Sequence, residues 1–382
     1  MIQAKKNWHF HNPVEIIVGR GCREQLVNTF KQANLLVVTT KRGKQQFSED
    51  VFLGQVVQNN SITWVDSVTE NPGLTYLEQE IKQLQGLKVD AVIAFGGGSA
   101  MDAAKAIRLG IACQQPISLA ELLNQPEVHS QVNQAPLYTL PTTSGTGSEV
   151  TPFATVWHHE IQKKLSLASD SVFPTTAIVD AQLTDSLPAK VTLSTGLDAI
   201  NQAAESVWNK NANSITLLLA TRALKLGLEA LPKLIKDSGN IQMRDQMAEA
   251  SLLSGLAISH TRTALCHSIS YPLTAHFDVP HGLACAFTMP EVCRLNLEAD
   301  DGRFVELAYA LTGNRDPQAF YQLFVDLNNE LNVSDTVKSY IPSLEALLAL
   351  QDEMYNPSRA GNNLATLQES SLQTILNKAF NN

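Results

Sequence analysis

The chain has 382 residues, of which 44% are hydrophobic and 17% are charged. At roughly 150 residues per domain, this length predicts two or three domains, and the composition excludes a disordered chain. Lysine and arginine total 28 against 37 aspartate and glutamate residues, and the resulting net charge of −9 argues against nucleic acid or an anionic membrane as a partner.

The first 19 residues contain no long apolar stretch and no small-residue cleavage site, so no secretory signal is expected. No uncharged apolar run reaches the roughly 18 residues of a membrane span. The 5 cysteines are scattered and form no C-x-x-C pair, which favours reduced thiols and a cytoplasmic location.

Short apolar runs alternate with helix-like segments in the first half of the chain. Residues 35–39, 91–95 and 175–180 each have the length of a strand. Because these runs are continuously apolar rather than alternating, they predict a sheet that is buried on both faces. With helical stretches such as residues 76–87 between them, the pattern predicts a doubly wound α/β domain with a parallel sheet.

Beyond residue 183, long amphipathic stretches predict an all-α domain, and the expected division is residues 1–182 and 183–382. The predicted helical stretches are residues 195–208, 214–230, 241–271, 303–311 and 368–380. Residues 355–363, which include Pro357 and Gly361, are predicted to form a loop before the last helix.

A glycine turn, Gly96-Gly97-Gly98-Ser99, follows the second predicted strand and precedes an alanine-rich helix. Glycine allows the backbone to approach a ligand closely, and the start of a helix presents free N–H groups and a positive dipole end. The turn is therefore a candidate diphosphate site. The alternative is an ordinary β–α turn with a cap at Ser99, since the spacing is not G-x-G-x-x-G.

A second polar loop spans residues 141–151, with 6 hydroxyl residues and 2 glycines in 11 positions. Leu137 and Leu140 precede it, which predicts a strand whose end carries the loop to a cofactor. The alternative is a solvated surface loop.

Four residues suggest a divalent-metal site. Asp198 and Gln202 lie four apart and would share one face of a helix, whereas His267 and His281 are separated by 14 positions. Two imidazoles, a carboxylate and a carboxamide oxygen could complete such a site with open positions. An isolated histidine is more often a core residue, but Thr263, His267 and Tyr271 recur every four residues and indicate a lined cavity.

Taken jointly, motifs along nearly the whole chain resemble the iron-containing (group III) alcohol dehydrogenases, which are relatives of glycerol dehydrogenase and dehydroquinate synthase. The matching residues are Phe10, Pro13, Gly19-Arg20-Gly21, Glu70-Asn71-Pro72, Gly96-Gly97-Gly98-Ser99, Asp102, Lys105, residues 141–151, Lys164-Leu165-Ser166, Ile178-Val179-Asp180, Gly196-Leu197-Asp198-Ala199, His267 and Pro280-His281-Gly282.

The resemblance implies a dehydroquinate synthase-like architecture: a dinucleotide-binding α/β domain, a helical metal-binding and substrate domain, and a divalent metal between them. It implies hydride transfer between NAD(P)(H) and a small aldehyde or alcohol, with iron or zinc acting as a Lewis acid on the substrate oxygen. The implied ligands are Asp198, Gln202, His267 and His281. His267 and Tyr271 are the expected catalytic residues, and a homodimer is expected from the relatives.

The resemblance also assigns the cofactor contacts. These are expected at Thr40, Lys41, Asn71, Gly97, Gly98, Ser99, Asp102, Thr142, Thr143, Thr146, Ser148 and Lys164. Many relatives carry an aspartate directly after the strand that corresponds to residues 35–39. There it binds the ribose hydroxyls of the cofactor and repels a 2′-phosphate. This chain has Thr39-Thr40-Lys41-Arg42 instead, which favours NADP(H). The alternative is that the two cations simply begin a solvated helix.

Two positions depart from the family pattern. Gln202 stands where most relatives have a histidine ligand, and a carboxamide oxygen is a harder and weaker ligand than imidazole. Tyr271 stands where many relatives have a second histidine, and its unperturbed pKa near 10 means that it would not titrate near neutrality. Tyr271 or a water molecule would therefore supply the proton.

Residues 259–274 resemble the subgroup associated with phosphonoacetaldehyde reduction. Arg262 and its neighbouring threonines would suit an anionic aldehyde, although Arg262 would point about 140° away from His267 on one continuous helix. Two other functions remain open: a lyase related to dehydroquinate synthase, and a nucleotide-binding protein without turnover.

Overall fold

The structure, a computed structural model, describes residues 7–113, 118–161, 163–368 and 370–381. It separates into two compact units. The α/β unit comprises Asn12–Thr143 and Gly147–Asp185, and the helical unit comprises residues 7–11, Ser144–Thr146 and Ser186–Asn382.

The described part of the α/β unit contains eight strands. They are β1 (Glu15–Val18), β2 (Asn34–Val38), β3 (Ser61–Val65), β4 (Ala91–Gly96), β5 (Leu137–Pro141), β6 (Phe153–His158), β7 (Lys163–Ala168) and β8 (Thr176–Val179). Six of them form a sheet in the order β1-β8-β5-β4-β2-β3, in which every neighbouring pair is parallel. Strands β6 and β7 pair antiparallel as a separate hairpin. The predicted strands correspond to β2, β4 and β8, so the parallel sheet is confirmed.

Alternate side chains of the central strands enter two different cores. Leu36 and Val38 of β2 belong to one apolar cluster, whereas Leu35 and Val37 belong to another. Successive side chains of a strand point to opposite faces, so both faces of the sheet are covered and each strand is continuously apolar. The helices of this unit are α1 (Gln25–Thr29), α2 (Lys41–Glu49), α3 (Leu53–Asn59), α4 (Leu74–Gln83), α5 (Gly98–Ala112), α6 (Leu119–Asn124) and α7 (Pro126–His129).

The helical unit packs around one large apolar cluster, in which the rings of Phe320 and Phe324 meet Trp208 edge to face. Its helices are α8 (Ala189–Val207), α9 (Ser214–Lys236), α10 (Ile241–Thr261), α11 (Leu265–Phe277), α12 (His281–Leu297), α13 (Arg303–Thr312), α14 (Pro317–Glu330), α15 (Val333–Lys338), α16 (Leu344–Leu348), α17 (Pro357–Ala360) and α18 (Ser371–Asn381). In the described ranges, no helix combines the length and the apolar composition that crossing a bilayer requires.

The predicted helical stretch 241–271 is wrong as a single helix. It is divided into α10 and α11, because Arg262 adopts φ 60° and ψ 175° and ends α10. Thr263 therefore lies outside the helix that carries His267 and Tyr271, and the angle predicted for Arg262 on a continuous helix does not apply. His260, near the end of α10, lies with its Nε2 2.8 Å from the backbone carbonyl oxygen of His11.

The predicted loop at residues 355–363 is also corrected, because it contains the short helix α17. Asn356 caps this helix by accepting a hydrogen bond from the backbone N–H of Ser358, and Pro357 occupies its first position. Proline is favoured at the first position of a helix because its missing N–H would have no intrahelical partner there. The turn residues that suggested a loop thus begin a helix instead.

The backbone of Arg262 generates a stability prediction. Its conformation is one that only glycine adopts without a strain of about 1–3 kcal/mol. It is held there by the hydrogen bond from its N–H to the carbonyl oxygen of Ile258, at 2.9 Å, and by the bond that its own carbonyl oxygen accepts from Asn209, at 3.3 Å. We expect Arg262→Gly to unfold at a higher urea concentration than Arg262→Ala, although both lack the side chain.

Lys225, an exposed residue within α9, supplies the matched control. At this ordinary helical position, the alanine variant should be more stable than the glycine variant by about 1 kcal/mol. The same order of stability at both positions would contradict the predicted strain at Arg262.

Candidate active site

Three polar residues of α8 are buried on one face of that helix. Asp198, Gln202 and Glu205 are four and three residues apart, and their exposed fractions are 4%, 3% and 0%. Residues at this spacing lie one above another on a helix. A buried carboxylate needs hydrogen-bond partners or a cation, so this face of α8 requires polar groups opposite it.

Glu205 meets the beginning of α11. It accepts hydrogen bonds from the backbone N–H groups of Ala264, at 2.6 Å, and His267, at 3.2 Å. Its Oε2 also lies 2.8 Å from Nδ1 of His267. A carboxylate is favoured at a helix N-terminus, where free N–H groups and the helix dipole meet. The same carboxylate therefore holds the start of α11 and the orientation of the imidazole ring.

The other imidazole nitrogen of His267 points to Asp198. Nε2 lies 3.3 Å from Oδ1 of Asp198. A histidine whose Nδ1 is bonded to a carboxylate presents Nε2 as an oriented metal ligand. Burial acts to lower the pKa of His267, but the charges of Cys285 and Glu205 and the hydrogen bond with Asp198 outweigh it, so this pKa lies well above its usual value. The ring therefore lies between two buried carboxylates, with Glu205 at Nδ1 and Asp198 at Nε2.

His281 begins α12 and approaches the same carboxylate. Its Nε2 lies 3.9 Å from Oδ1 of Asp198. The approach depends on Gly282, because a Cβ at this position would collide with the backbone carbonyl oxygen of Ser194 and would lie 3.0 Å from the backbone nitrogen of Asp198. Glycine thus lets α12 pack directly against the backbone of α8.

The structure brings together three of the four predicted ligands and adds a fourth donor. Ligand atoms of Asp198, His267, His281 and Cys285 lie within 4.8 Å of one another. The nitrogen, oxygen and sulfur donors of this set fit a divalent transition metal such as zinc or iron. Gln202 is adjacent, but it uses its amide nitrogen, which donates to Oδ2 of Asp198 at 3.1 Å.

Sequence reasoning missed the roles of Glu205 and Cys285. One signal was present for each of them. Glu205 lies seven residues after Asp198, which puts two acidic residues on one face of a predicted helix. Cys285 lies four residues after His281, the spacing at which two side chains of a helix can share a ligand.

Tyr271 lies beside this cluster. Its ring stacks on that of His281, with centroids 5.8 Å apart and planes 9° apart. The guanidinium carbon of Arg359 also lies 4.8 Å from the centroid of the Tyr271 ring. Arg262, by contrast, is exposed and lies outside α11. Arg359 is therefore the arginine that the fold associates with the cluster.

In the α/β unit, the glycine turn and the second polar loop meet at the ends of adjacent strands. Gly96 has φ +151°, and its carbonyl oxygen accepts a hydrogen bond from the N–H of Thr142 at 2.9 Å. A Cβ on Gly97 would lie 3.1 Å from the hydroxyl oxygen of Thr143. Ligands of open parallel sheets bind at the carboxyl ends of the strands, and α5 begins there at Gly98. The geometry suits the diphosphate of a dinucleotide.

A buried lysine maintains the shape of the second polar loop. Nζ of Lys105 donates to the carbonyl oxygens of Ser148, Thr151 and Phe153 at 2.7, 2.9 and 2.7 Å. Burial lowers the pKa of Lys105 to about 8, while the charges of Asp102 and Glu149 act to raise it. Asp102 accepts hydrogen bonds from the Ser148 hydroxyl and the Thr155 N–H at 2.7 and 2.8 Å. Asp102 and Ser148 thus both order the loop from within.

The remaining predicted cofactor residues occupy varied positions. Thr40 caps α2 by accepting a hydrogen bond from the N–H of Gly43 at 2.9 Å, and Lys41 is exposed at the first position of that helix. Asn71 has φ 55°, and its N–H donates to the Ser99 hydroxyl at 3.2 Å. Lys164 lies over the ring of Trp157 at 5.8 Å. Thr146 belongs to the helical unit.

Family models match both units of the chain. Residues 13–181 match the family model described as iron-containing alcohol dehydrogenase. Residues 192–380 match the model for the C-terminal domain of the same family. A doubly wound unit followed by a helical unit with a buried donor cluster thus defines an oxidoreductase of the alcohol dehydrogenase class. The chain belongs to the iron-containing alcohol dehydrogenase family, as the sequence motifs predicted.

Individual relatives cover nearly the whole chain. An NADPH-dependent butanol dehydrogenase of Clostridium saccharobutylicum is 30% identical over 87% of this chain and 86% of its own length. A sulfoacetaldehyde reductase of Bilophila wadsworthia is 28% identical over 91% and 92% of the two chains. The crystal structure of sulfoacetaldehyde reductase from Bifidobacterium kashiwanohense in complex with NAD+ superposes with a TM-score of 0.87, at 29% identity and with 98% and 99% coverage. The predicted fold class is confirmed.

The close packing at Gly282 generates a prediction about metal binding. Gly282→Ala would force the start of α12 away from the backbone of α8, because the added Cβ meets a backbone atom rather than a flexible side chain. We expect the variant to bind less zinc per chain in equilibrium dialysis, because His281 is displaced from Asp198.

Gly239→Ala is the matched control. Gly239 is exposed in the same unit, and a Cβ there would meet only Oδ1 of Asp237, at 3.5 Å. This variant should bind zinc as the parent chain does. Equal zinc binding by Gly282→Ala and the parent chain would show that His281 does not depend on this packing.

Proposed function

We propose that the chain is a metal-dependent alcohol dehydrogenase that acts as an NAD(P)H-dependent reductase of small aldehydes, including anionic ones. The observation that carries the proposal is the cluster of buried Asp198, buried His267 and partly buried His281, with Glu205 bonded to Nδ1 of the His267 ring. Such a carboxylate–histidine pair is typical of metal sites, because it fixes both the tautomer and the ring orientation.

A divalent iron or zinc ion held by these residues would act as a Lewis acid toward the oxygen of the substrate. Glu205 keeps Nε2 of His267 directed at Asp198, where both residues would hold the ion. Tyr271 lies flat against His281 and limits the movement of that ring. We infer that the Tyr271 hydroxyl, or water near it, delivers the proton to the product alkoxide.

A nicotinamide cofactor would exchange hydride with the carbonyl carbon of the substrate. The N–H groups at the start of α5, at Gly98 and Ser99, are suited to the diphosphate, and Gly97 leaves room beside Thr143. Residues 39–42 contain no carboxylate, and Lys41 and Arg42 are exposed there, which supports acceptance of the 2′-phosphate of NADP(H). The butanol dehydrogenase relative is named as NADPH-dependent, which also supports this choice.

We propose that Arg359 recognises the anionic group of the substrate. This side chain is half-buried and lies against Tyr271, which in turn stacks on His281. A guanidinium group beside Tyr271 could pair with a sulfonate or phosphonate carried on the carbon next to the reacting carbonyl. Two relatives are named as sulfoacetaldehyde reductases, which supports an anionic substrate.

Metal removal tests the reaction. We expect the chelated enzyme to lose activity toward sulfoacetaldehyde, phosphonoacetaldehyde and butyraldehyde, with NADH and with NADPH, because no Lewis acid remains. Addition of ferrous or zinc ions should restore it. The absorbance of the reduced nicotinamide distinguishes this reductase from a lyase. A reductase would consume the reduced cofactor, whereas a lyase would leave its absorbance unchanged. Full activity after complete removal of metal would refute the proposal.

Arg359→Met tests the substrate class. Loss of one charge-assisted hydrogen bond is worth about 1.5–3 kcal/mol, so kcat/KM for sulfoacetaldehyde should fall roughly 10- to 100-fold. The value for uncharged butyraldehyde should change little. Arg262→Met is the control, since that arginine is exposed and outside α11. If Arg359→Met lowered kcat/KM equally for sulfoacetaldehyde and butyraldehyde, Arg359 would have no role in recognising the anion.

A further inference from the structure

Cys285 lies one helical turn after His281 on α12, and its side chain is fully buried. Its Sγ lies 3.9 Å from Nε2 and 4.0 Å from Nδ1 of His281. A buried free cysteine is usually a small apolar side chain. Here, however, the sulfur and the ligand atoms of Asp198, His267 and His281 all lie within 4.8 Å of one another.

The distances in this cluster are close to those across a tetrahedral metal shell. Metal–nitrogen and metal–oxygen bonds of about 2.0–2.1 Å and metal–sulfur bonds of about 2.3 Å put neighbouring ligand atoms roughly 3.3–3.6 Å apart. The observed pairs are 3.3 Å for His267 with Asp198, 3.9 Å for His281 with Asp198, and 3.9 Å for Cys285 with His281. Small side-chain movements would therefore bring these atoms to bonding distance from one cation.

Gln202 is engaged in a different way. Its Nε2 donates to Oδ2 of Asp198 at 3.1 Å, and its Oε1 faces the Ser254 hydroxyl oxygen at 3.4 Å, while that hydroxyl also lies 2.9 Å from the carbonyl oxygen of Ser251. Reversing the amide would place its oxygen against the Asp198 carboxylate, and two acceptors would then face each other. The chemistry of Asp198 therefore keeps the amide oxygen, which is the ligating atom of glutamine, turned toward Ser254.

We propose that the thiolate of Cys285 is the fourth protein ligand of the metal, and that Gln202 serves as a hydrogen-bond donor to Asp198. The inference rests on the metal-dependent function proposed above and changes the predicted ligand set at one position. A carboxylate and a thiolate would balance the two positive charges of the cation. A soft sulfur donor also favours zinc or cobalt over metals that prefer oxygen ligands. Substrate binding would then require a fifth coordination position, which zinc sites can provide.

Cobalt(II) is a direct probe of the proposed sulfur ligand, because thiolate coordination produces a charge-transfer band in the near ultraviolet. The full-length chain is stripped with a chelator, dialysed and titrated with cobalt(II), and metal content is measured on the same samples. We expect one cobalt ion per chain and a thiolate band that saturates with it. Cys285→Ala should lose the band and bind cobalt at least about tenfold more weakly.

Two variants serve as controls. Cys293→Ala removes another fully buried cysteine from the same helix, two turns after Cys285, and should retain both the band and the affinity. Gln202→Ala should retain the band at saturating cobalt, because the proposed role of Gln202 is to orient Asp198. If the Gln202 oxygen were the ligand instead, Cys285→Ala would bind cobalt as the parent chain does.

The outcomes separate this inference from the function on which it rests. A parent chain that binds one cobalt ion without a thiolate band would overturn the ligand role of Cys285 and would leave the metal-dependent reductase intact. A parent chain that binds neither cobalt nor zinc would overturn both. Because the spectrum of the parent chain decides the first case, the test does not depend on whether any variant folds.

Discussion

The helical unit depends on the buried carboxylate of Glu205. With no exposed surface, it is held by two backbone N–H groups at the start of α11 and by the imidazole of His267. A charge that is removed from water is stable only when it is fully hydrogen-bonded or paired. Glu205 therefore joins α8 to α11 and directs Nε2 of His267 toward Asp198. The donor cluster follows from this arrangement, and Gly282 lets α12 complete it.

The α/β unit uses a buried lysine for a comparable purpose. Lys105 of α5 is fully buried, and its ammonium donates to backbone carbonyl oxygens of residues 148–153. A loop that contains so many polar groups would otherwise have several stable conformations, because hydroxyl groups compete for backbone partners. The lysine selects one of them and holds the loop beside the glycine turn. In both units, a single buried charge organises backbone that carries the chemistry.

The errors in the predicted elements have local causes. Residues 241–271 have a continuous helical pattern, and apolar periodicity cannot detect one residue whose backbone is forced into an unfavourable conformation. At the break, the carbonyl oxygen of Arg262 accepts a hydrogen bond from the side chain of Asn209, which lies 53 residues earlier in the chain and is brought there only by tertiary packing. Pro357 and Gly361 predict a loop, but proline is also favoured at the first position of a helix. The sequence patterns therefore predict the existence of a helix more reliably than the residues at which it begins and ends.

The residue pattern alone predicts the buried parallel strands, the glycine turn before α5, the family, and a metal site that includes Asp198, His267 and His281. These features depend on apolar patterns, on backbone freedom, or on motifs that are contiguous in the chain. Only the tertiary structure decided that Gln202 donates to Asp198, that Cys285 joins the cluster, and that Arg359 rather than Arg262 lies beside Tyr271. The positions of Cys285 and Arg359 depend on distances between residues of different helices, to within an ångström or so, whereas the orientation of Gln202 depends on competition for hydrogen-bond partners around α8. Neither quantity is encoded in the spacing of residues along the chain.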